Sequence, residues 1–493
     1  MNTTIRRKGS RLIAGFVAAG IGVAAALGMA SPAMAAPDES NIDPNATGSI
    51  VVHKHATPNP EGTTRSTGTE LSTPPAAPLQ GVQFTVSRVT HATALDLTKS
   101  STWQTLSTLS VQTVTTAGNG YSVAQVGTPQ TTDAQGVATF GNLPVGVYLV
   151  QETSAGSQPI ALRSQPFLVS IPLPEAGKWN YNVHVYPKNS LTGILLAQDT
   201  TAARALGDVI KYTATTDVPN KQDKNPVTSY VITDTIDATQ VTFKDAAVRI
   251  VDGTTTTNLV GGTGADRDYD LVTNASTGVV TVTLTPTGVQ KVNNAGNGAK
   301  VVLDVNATVT ALGDGSIENT ATVRINDLAT VAAIPVLSHW GGANVVKYPA
   351  GAGNENLRLN GAVFEVYTVG GTTPIAFGTG APRQTQFTTG AAGVEGEIRI
   401  PALAVGTYEL REVTAPTGYR PITARMAFEV TKPVGATASV TTVGVPNEQV
   451  QAFELPITGG DGQMAFMIGG GALLIIAAGA FLIVAGRRAE QQG

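Results

Sequence analysis

The chain has 493 residues, of which 13% are charged, with a net charge of −4 and no cysteine. This balance shows no basic stripe and excludes the electrostatic footprint of a nucleic-acid-binding protein. The absence of cysteine excludes disulfides, so any covalent reinforcement of the fold needs other chemistry. With both targeting ends removed, the length favours about three domains.

Residues 1–35 have the pattern of a secretory signal peptide. Four basic residues among the first eleven precede an apolar run from Leu12 to Met29, and Ala33 to Ala35 form a small-x-small cleavage site. We therefore exclude this segment from the fold and predict that the chain is secreted.

The region that follows predicts an all-β protein. Short runs rich in Val, Ile, Thr and Tyr, such as GSIVVHKH and YVITDTI, alternate in polarity and are bounded by Gly, Pro, Asn and Asp. This spacing is typical of immunoglobulin-like β-sandwiches. Ala94 to Leu109 predicts a short inserted helix, and the Thr- and Pro-rich stretch from Ala56 to Pro78 predicts a long surface loop.

An internal repeat divides this region. LQGVQFTV near residue 80 matches LNGAVFEV near residue 360, and LPVGVYLVQET matches LAVGTYELREV further along each copy. The first and third domains are therefore predicted to be copies of one sandwich type, with a different sandwich between them. The predicted domain bounds are 48–190, 191–340 and 341–450.

One stretch near the end of the first domain, WNYNVHVYPKN, combines strand alternation with a proline and a lysine. Alternation places Val183 and Val185 on one face, directed inward, and Trp179 can cover the beginning of the strand. Pro187 removes a ladder donor, so the strand must stop or run along an edge. Lys188 is thereby presented at a domain boundary.

The C-terminus carries three features in a fixed order. The motif LPITG at 455–459 precedes an apolar span at 464–486, which is long enough to cross a bilayer, and a tail at 487–493 that begins with two arginines. This order resembles the cell-wall sorting signal of Gram-positive bacteria. The resemblance implies a cytoplasmic tail, transient membrane anchoring, and cleavage by a sortase between Thr458 and Gly459 after recognition of Leu455 and Pro456.

The stretch ending at Lys188 resembles the pilin motif WxxxVxVYPK of sortase-assembled major pilins, which are LPXTG-anchored shaft subunits of fimbriae. The matching residues are Trp179, Val183, Val185, Tyr186, Pro187 and Lys188. The resemblance implies that the Lys188 amine attacks the acyl intermediate of another subunit and becomes joined to its Thr458. A donor at one end and an acceptor beyond the first domain produce a head-to-tail, open filament.

YELREVTAPTGY, at 408–419, resembles the E-box of these pilins, with Val413 where the family has Thr. The resemblance implies collagen-adhesin B-type (Cna-type) sandwiches, many of which form an internal Lys–Asn isopeptide bond beside a carboxyl. That reaction needs an uncharged amine, and burial lowers the pKa of a lysine and raises that of a carboxyl.

Two domains contain all three groups in the family order. In the third domain they are Lys347, Glu412 and Asn447. In the first domain they are Lys54, Glu152 and Asn189. The segment after Glu152 lacks the Ala-Pro-x-Gly-Tyr of a full E-box, so the cross-link of the first domain remains an open question at this point.

The middle domain departs further. Asp234 and Asn319 match the carboxyl and the acceptor, but its first strand, LTGILLAQDTT, has no lysine, and Lys211 comes one strand too late. Either this domain is not cross-linked, which we favour, or Lys211 serves in an atypical way.

We expect neither a cofactor nor a metal site. His53 and His55 flank Lys54 in a His-x-His pattern, but packing or surface roles are favoured, and three alternating aspartates from Asp266 to Asp270 predict a solvated strand edge. No nucleophile elbow, Walker loop or HExxH motif occurs, and self-modification would not make the chain an enzyme.

The resemblance implies a structural shaft subunit on fimbriae, anchored to the cell wall. The implied partners are a class C pilin sortase, a housekeeping sortase, other copies of the chain, peptidoglycan, a tip adhesin pilin and a host receptor, with no nucleic acid. The alternative is a monomeric, wall-anchored adhesin that binds a host ligand and has no use for Lys188. A glycan hydrolase would need a positioned pair of carboxylates that the sequence does not indicate.

Overall fold

The protein folds as a series of β-sandwiches in the computed structural model. The model describes residues 40–58, 66–73, 76–220, 226–326, 328–451 and 462–489. The strands alternate buried and more accessible positions, as in Val209–Asp217 of the middle domain, where Ile210, Tyr212 and Ala214 face the core. The predicted class, three tandem immunoglobulin-like β-sandwiches, is confirmed.

The first domain contains thirteen strands and two short helices among its described residues. They are β1 (Thr47–His53), β2 (His55–Ala56), β3 (Gln83–His91), α1 (Ser100–Ser107), α2 (Val111–Thr115), β4 (Tyr121–Gln125), β5 (Gln130–Thr131), β6 (Val137–Pro144), β7 (Gly146–Ser154), β8 (Ile160–Leu162), β9 (Phe167–Ile171), β10 (Leu173–Glu175), β11 (Lys178–Asn180), β12 (Asn182–Val185) and β13 (Lys188–Leu191). Helix α1 lies within the stretch predicted to be helical.

Two sheets face each other in this domain, in the orders β12-β1-β6 and β4-β3-β7-β9. The first and last strands lie side by side and parallel, since β1 pairs with β12 and β2 pairs with β13. Lys54 interrupts the first strand between β1 and β2, and Tyr186–Pro187 interrupt the last strand between β12 and β13. Ile50, Phe84 and Tyr148 lie in the core between the sheets.

The middle domain runs from β14 to β23. Its elements are β14 (Ile194–Asp199), β15 (Val209–Asp217), β16 (Tyr230–Ile236), β17 (Val241–Asp252), β18 (Thr255–Asn258), β19 (Tyr269–Asn274), β20 (Val279–Leu284), α3 (Pro286–Asn294), β21 (Lys300–Val309), β22 (Ser316–Ile325) and β23 (Val331–Ala332). Its first sheet has the order β14-β15-β21-β17-β18. The order of its second sheet begins β19-β20-β16-β22.

The third domain is built from β24 onward. Its elements are β24 (Val336–Pro349), β25 (Val363–Thr368), β26 (Gln386–Thr388), β27 (Glu397–Ala404), β28 (Gly406–Thr414), β29 (Met426–Val430) and β30 (Ser439–Asn447). Strand β24 pairs with β27 and, in parallel, with β30. The opposing sheet has the order β26-β25-β28-β29.

The two domain junctions differ. Strand β24 first pairs with β22 of the middle domain and then enters the third domain, so the predicted bound between residues 340 and 341 falls inside one strand. Arg383 Nη1 also donates to Asp208 Oδ1 across this junction, at 2.8 Å. At the other junction, Asn220 Nδ2 donates to the Pro58 carbonyl at 3.0 Å, and the Ser190 hydroxyl donates to the Asn220 carbonyl.

A final helix, α4 (Gly462–Ala489), contains the predicted membrane span. Among the described residues, no helix has the length and apolar character required for a membrane crossing. The span and its cytoplasmic tail therefore stay predictions, and the signal peptide lies outside the described residues.

Candidate cross-linking and polymerisation sites

The third domain brings its predicted lysine, carboxyl and asparagine together in the core. Lys347 lies on β24 and Asn447 at the end of β30, while Glu412 reaches across from β28. Lys347 Nζ donates to Asn447 Oδ1 at 2.6 Å and to the Val445 carbonyl at 2.7 Å. Asn447 Nδ2 donates to Glu412 Oε1 at 2.9 Å. An amine, an amide and a carboxyl thus share one buried site.

Burial changes the charge of the amine in this site. It lowers the pKa of Lys347 to about 8, although the nearby Glu412 carboxylate, 3.9 Å from Nζ, opposes the shift. At neutral pH about one amine in ten is then uncharged and nucleophilic, which is far more than for an exposed lysine. The Ile422 amide donates to Glu412 Oε2 at 2.7 Å and fixes the carboxyl.

The first domain forms the corresponding site. Lys54, in the gap between β1 and β2, and Asn189, on β13, are fully buried. Lys54 Nζ donates to Asn189 Oδ1 and lies 3.0 Å from Glu152 Oε2. Asn189 Nδ2 donates to Glu152 Oε1 at 2.8 Å. The three groups meet although the E-box is incomplete, with Glu152 carried by β7.

Two further residues of this site were missed in the sequence. Ser164 Oγ accepts from Lys54 Nζ at 3.1 Å and donates to Glu152 Oε2 at 3.0 Å, and its backbone amide donates to Asn189 Oδ1. The Phe84 ring lies under Lys54 Nζ at 5.6 Å. Alternation within QFTV places Phe84 inward, but Ser164 lies in an irregular segment whose position no periodicity predicts.

The middle domain has the carboxyl and the asparagine without the amine. Asn319 Nδ2 donates to Asp234 Oδ2 at 3.2 Å, and both residues are buried. Among the described residues, Asp234 Oδ1 and Asn319 Oδ1 have no hydrogen-bond partner. Burial raises the pKa of Asp234 to about 7, against the effect of the Asn319 hydrogen bond.

Lys211 is not at this site. It lies on β15 with a side chain that is 44% exposed, and its Nζ is 3.2 Å from Asp304 Oδ2. Its neighbours Ile210 and Tyr212 point into the core, so alternation directs Lys211 outward. On β14, the first strand of the domain, the buried position belongs to Leu196.

The apolar residues of the pilin motif lie as alternation predicts. Val183 is buried in the core, and the half-buried Val185 packs against the same cluster. Trp179 lies on β11, stacked on Trp103 of α1 with ring centroids 5.2 Å apart, and its Nε1 donates to Asn41 Oδ1 at 2.7 Å. The tryptophan therefore joins the last strands of the domain to the helical insertion.

The remaining motif residues hold the lysine. Tyr186 accepts from the Leu71 amide at 2.6 Å, and Pro187 is buried and ends the β12 ladder. Lys188 then opens β13, in register with His55, and is half-buried. The strand thus resumes after the proline instead of ending there, and Lys188 lies just before the junction with the middle domain.

Other predicted residues are distributed as follows. The sorting-motif residues Leu455, Pro456, Thr458 and Gly459 lie outside the described residues. Asp268 is buried, not on a solvated edge, and accepts from Lys291 Nζ at 2.7 Å and from the Val260 amide, while Asp270 pairs with Arg267. These aspartates serve separate polar contacts.

Comparison with family models identifies each domain. Residues 45–190 match the N-terminal D1 domain of Gram-positive pilin subunits. Residues 351–444 match a prealbumin-like fold domain, and residues 201–333 match the C2 terminal domain of cell surface antigen I/II.

Whole-chain comparisons agree with these matches. A type 2 fimbrial subunit from Actinomyces naeslundii is 30% identical over 94% of this chain and 95% of its own. A type 1 fimbrial subunit from Actinomyces viscosus is 29% identical over 95% of this chain and 97% of its own. The full-length major pilin SpaD from Corynebacterium diphtheriae is 25% identical with a TM-score of 0.62, covering 84% of this chain and 99% of its own. The chain therefore belongs to the Gram-positive pilins, as a backbone subunit that polymerises with other pilin subunits into a surface fimbria.

Proposed function

We propose that this chain forms the shaft of a fimbria whose subunits are covalently joined from Thr458 of one copy to Lys188 of the next. A sortase thiolate attacks the Thr458 carbonyl carbon, the Thr458–Gly459 bond breaks, and the Gly459 nitrogen leaves with a proton. The neutral Lys188 amine then attacks the thioester, an amide bond forms, and the sortase thiol leaves.

The placement of Lys188 is the observation that carries this proposal. The lysine follows the buried Pro187, on a strand held in parallel by β2, and its side chain is half-buried at a domain junction. A rigid strand reduces the conformational entropy that an acceptor amine must lose in a sortase site. A lysine that only contacts solvent would need neither the buried proline before it nor the parallel pairing with β2.

Internal isopeptide bonds in the first and third domains complete the proposal. The uncharged lysine Nζ attacks Cγ of the asparagine, the Nζ–Cγ bond forms, and the Cγ–Nδ2 bond breaks. One proton passes from Nζ through the glutamate to Nδ2, which leaves as ammonia. The close contacts of Lys347 and Lys54 with the two asparagine side chains support this step.

The middle domain has no internal cross-link in this proposal, because Lys211, the amine considered from the sequence, faces outward to Asp304. A class C pilin sortase would form the polymer, and a housekeeping sortase would attach it to peptidoglycan of the cell wall. A tip adhesin pilin and a host receptor complete the proposed partners. The chain itself is structural and not an enzyme.

The test is mass spectrometry of surface polymer released from the wall. We expect a branched peptide joining Lys188 to Thr458, and we expect Lys188→Ala to abolish high-mass polymer. Lys178→Ala is the matched control, because Lys178 belongs to the same domain, is 70% exposed, and should leave polymerisation unchanged. Thr458 attached only to wall peptide, with no Lys188 adduct, would instead support the monomeric adhesin.

A further inference from the structure

Three possible metal ligands meet on the outer face of the first domain, beside the pilin motif. His53 ends β1 and His184 lies on the adjacent β12, where it pairs with Val51. Because Val51 and His53 are two residues apart, both histidines project from the same face of the sheet. Their Nε2 and Nδ1 atoms are 2.8 Å apart, and Glu70 offers a carboxylate oxygen within 4.8 Å of both nitrogens.

The loop that carries Glu70 is fixed to this face by hydrogen bonds. The His184 amide donates to the Gly68 carbonyl at 2.8 Å, and the Ser66 hydroxyl donates to the His184 carbonyl at 3.2 Å. The Leu71 amide donates to the Tyr186 hydroxyl. Gly68 has a φ of +94°, and a Cβ there would lie 2.3 Å from Leu173 Cδ2. The path of the loop, and hence the position of Glu70, is therefore set.

We propose that His53 Nε2, His184 Nδ1 and the Glu70 carboxylate bind one divalent transition-metal ion, with Zn²⁺ as the best match. Two imidazoles and a carboxylate are typical ligands of zinc, and three protein ligands leave a fourth position for water. Glu70 is exposed whereas His53 is buried, so an ion would enter from solvent on the side of Glu70.

A histidine must be neutral to bind a metal ion, and the surroundings of His53 favour its neutral form. Burial lowers the pKa of His53, and the neighbouring His184 and His55 lower it further, against the opposite effect of Glu70 and Asp133. Tyr186 stacks on the His53 ring at 4.6 Å and holds its orientation.

A metal ion at this site would hold together three segments near the acceptor lysine. A bound ion would connect β1, β12 and the loop at 66–73, and its ligand His184 lies four residues before Lys188 in the chain. It would hold the strand that presents the acceptor without contacting the amine. This proposal does not depend on the sortase step.

The experiment is isothermal titration calorimetry of the purified full chain with ZnCl₂ at neutral pH, followed by Co²⁺ absorption spectroscopy. We expect one equivalent of Zn²⁺, and we expect Glu70→Gln and His184→Ala each to weaken binding at least tenfold. His91→Ala is the matched control, because His91 lies on another strand and contacts Tyr121. We expect it to bind zinc as the unaltered chain does.

Two results would overturn the proposal. One is the absence of Zn²⁺ binding at millimolar metal, which would leave a hydrogen-bonded pair of neutral histidines. The other is an unchanged affinity for Zn²⁺ in Glu70→Gln or in His184→Ala, once circular dichroism has shown that the variant is folded. The Glu70→Gln variant is the sharper test, since Glu70 is exposed and its loss should leave the fold intact.

Discussion

The middle domain and the third domain each bury an acceptor asparagine, but the side chains around it differ. In the third domain, Asn447 contacts both a lysine and a glutamate, and all three have a role in the proposed reaction. In the middle domain, Asn319 contacts Asp234 alone, and one oxygen of each remains without a partner among the described residues. A carboxyl and an asparagine can thus be buried together without the amine, at a cost in stability.

The junctions on the two sides of the middle domain differ as well. The third domain shares β24 and the Arg383–Asp208 contact with the middle domain, whereas the first domain is joined to it through Ser190, Asn220 and their short contacts. The proposed cross-links lie in the outer two domains, so the middle domain depends on non-covalent packing and on the neighbour that shares its strand.

The largest expected effect is the loss of the cross-link in the third domain. Glu412→Ala removes the carboxyl that transfers the proton, so the Lys347–Asn447 bond should not form. The bond would close a loop of 100 residues, and its loss should reduce the free energy of unfolding by about 5 kcal/mol on a loop-entropy argument. Chemical denaturation measures the loss, and intact mass should show one additional ammonia.

Its control is Glu429→Ala, which removes an exposed carboxylate from a neighbouring strand. This control should keep both the bond and the stability. A Glu412→Ala chain that still loses both ammonia molecules would contradict the role given to the glutamate.

The next effect concerns the middle domain and its pH dependence. Because the pKa of Asp234 is raised to about 7 in the folded state, the unfolded chain loses this proton at lower pH than the folded chain. The stabilisation from the protonated carboxyl is complete below about pH 4 and is lost as pH rises towards 7, a change on the order of 4 kcal/mol.

Asp234→Asn should therefore flatten the pH dependence and stabilise the middle domain at pH 8. Unfolding of the two chains between pH 4 and pH 8 measures this difference. Asp245→Asn, at an exposed position of β17, is the control and should retain the slope. The same slope in Asp234→Asn would show that another group titrates.

The smallest effect distinguishes the first domain from the third. Ser164 contacts Lys54 and Glu152 in the first domain, whereas the Val445 carbonyl accepts from Lys347 in the third. Ser164→Ala should slow bond formation in the first domain only and cost about 2 kcal/mol, since the hydroxyl makes two hydrogen bonds.

Peptide mapping of freshly purified chains would separate the two bonds in this variant. We expect incomplete Lys54–Asn189 bonding beside complete Lys347–Asn447 bonding. Ser157→Ala, at an exposed turn, is the matched control. Equal bonding in both domains of the Ser164 variant would show that the hydroxyl has no part in the reaction.

The sequence by itself determined the residue types and their order. Periodicity predicted the strands, repeated segments predicted that the outer domains are similar, and the resemblance to pilin motifs implied the roles of Lys188 and of the two lysine–glutamate–asparagine sets. Strands are local and repeated segments recur along the chain, so alternation and self-similarity are sufficient to predict both.

Only the tertiary structure decided which distant groups meet. Ser164 joins Lys54, Glu70 approaches His184, and β24 continues from one domain into the next, because loop paths and strand pairing bring together residues far apart in the chain. Side-chain direction likewise decided that Lys211 pairs with Asp304 and leaves Asn319 to Asp234. Such contacts depend on the packing of whole sheets, which no segment of the sequence encodes alone.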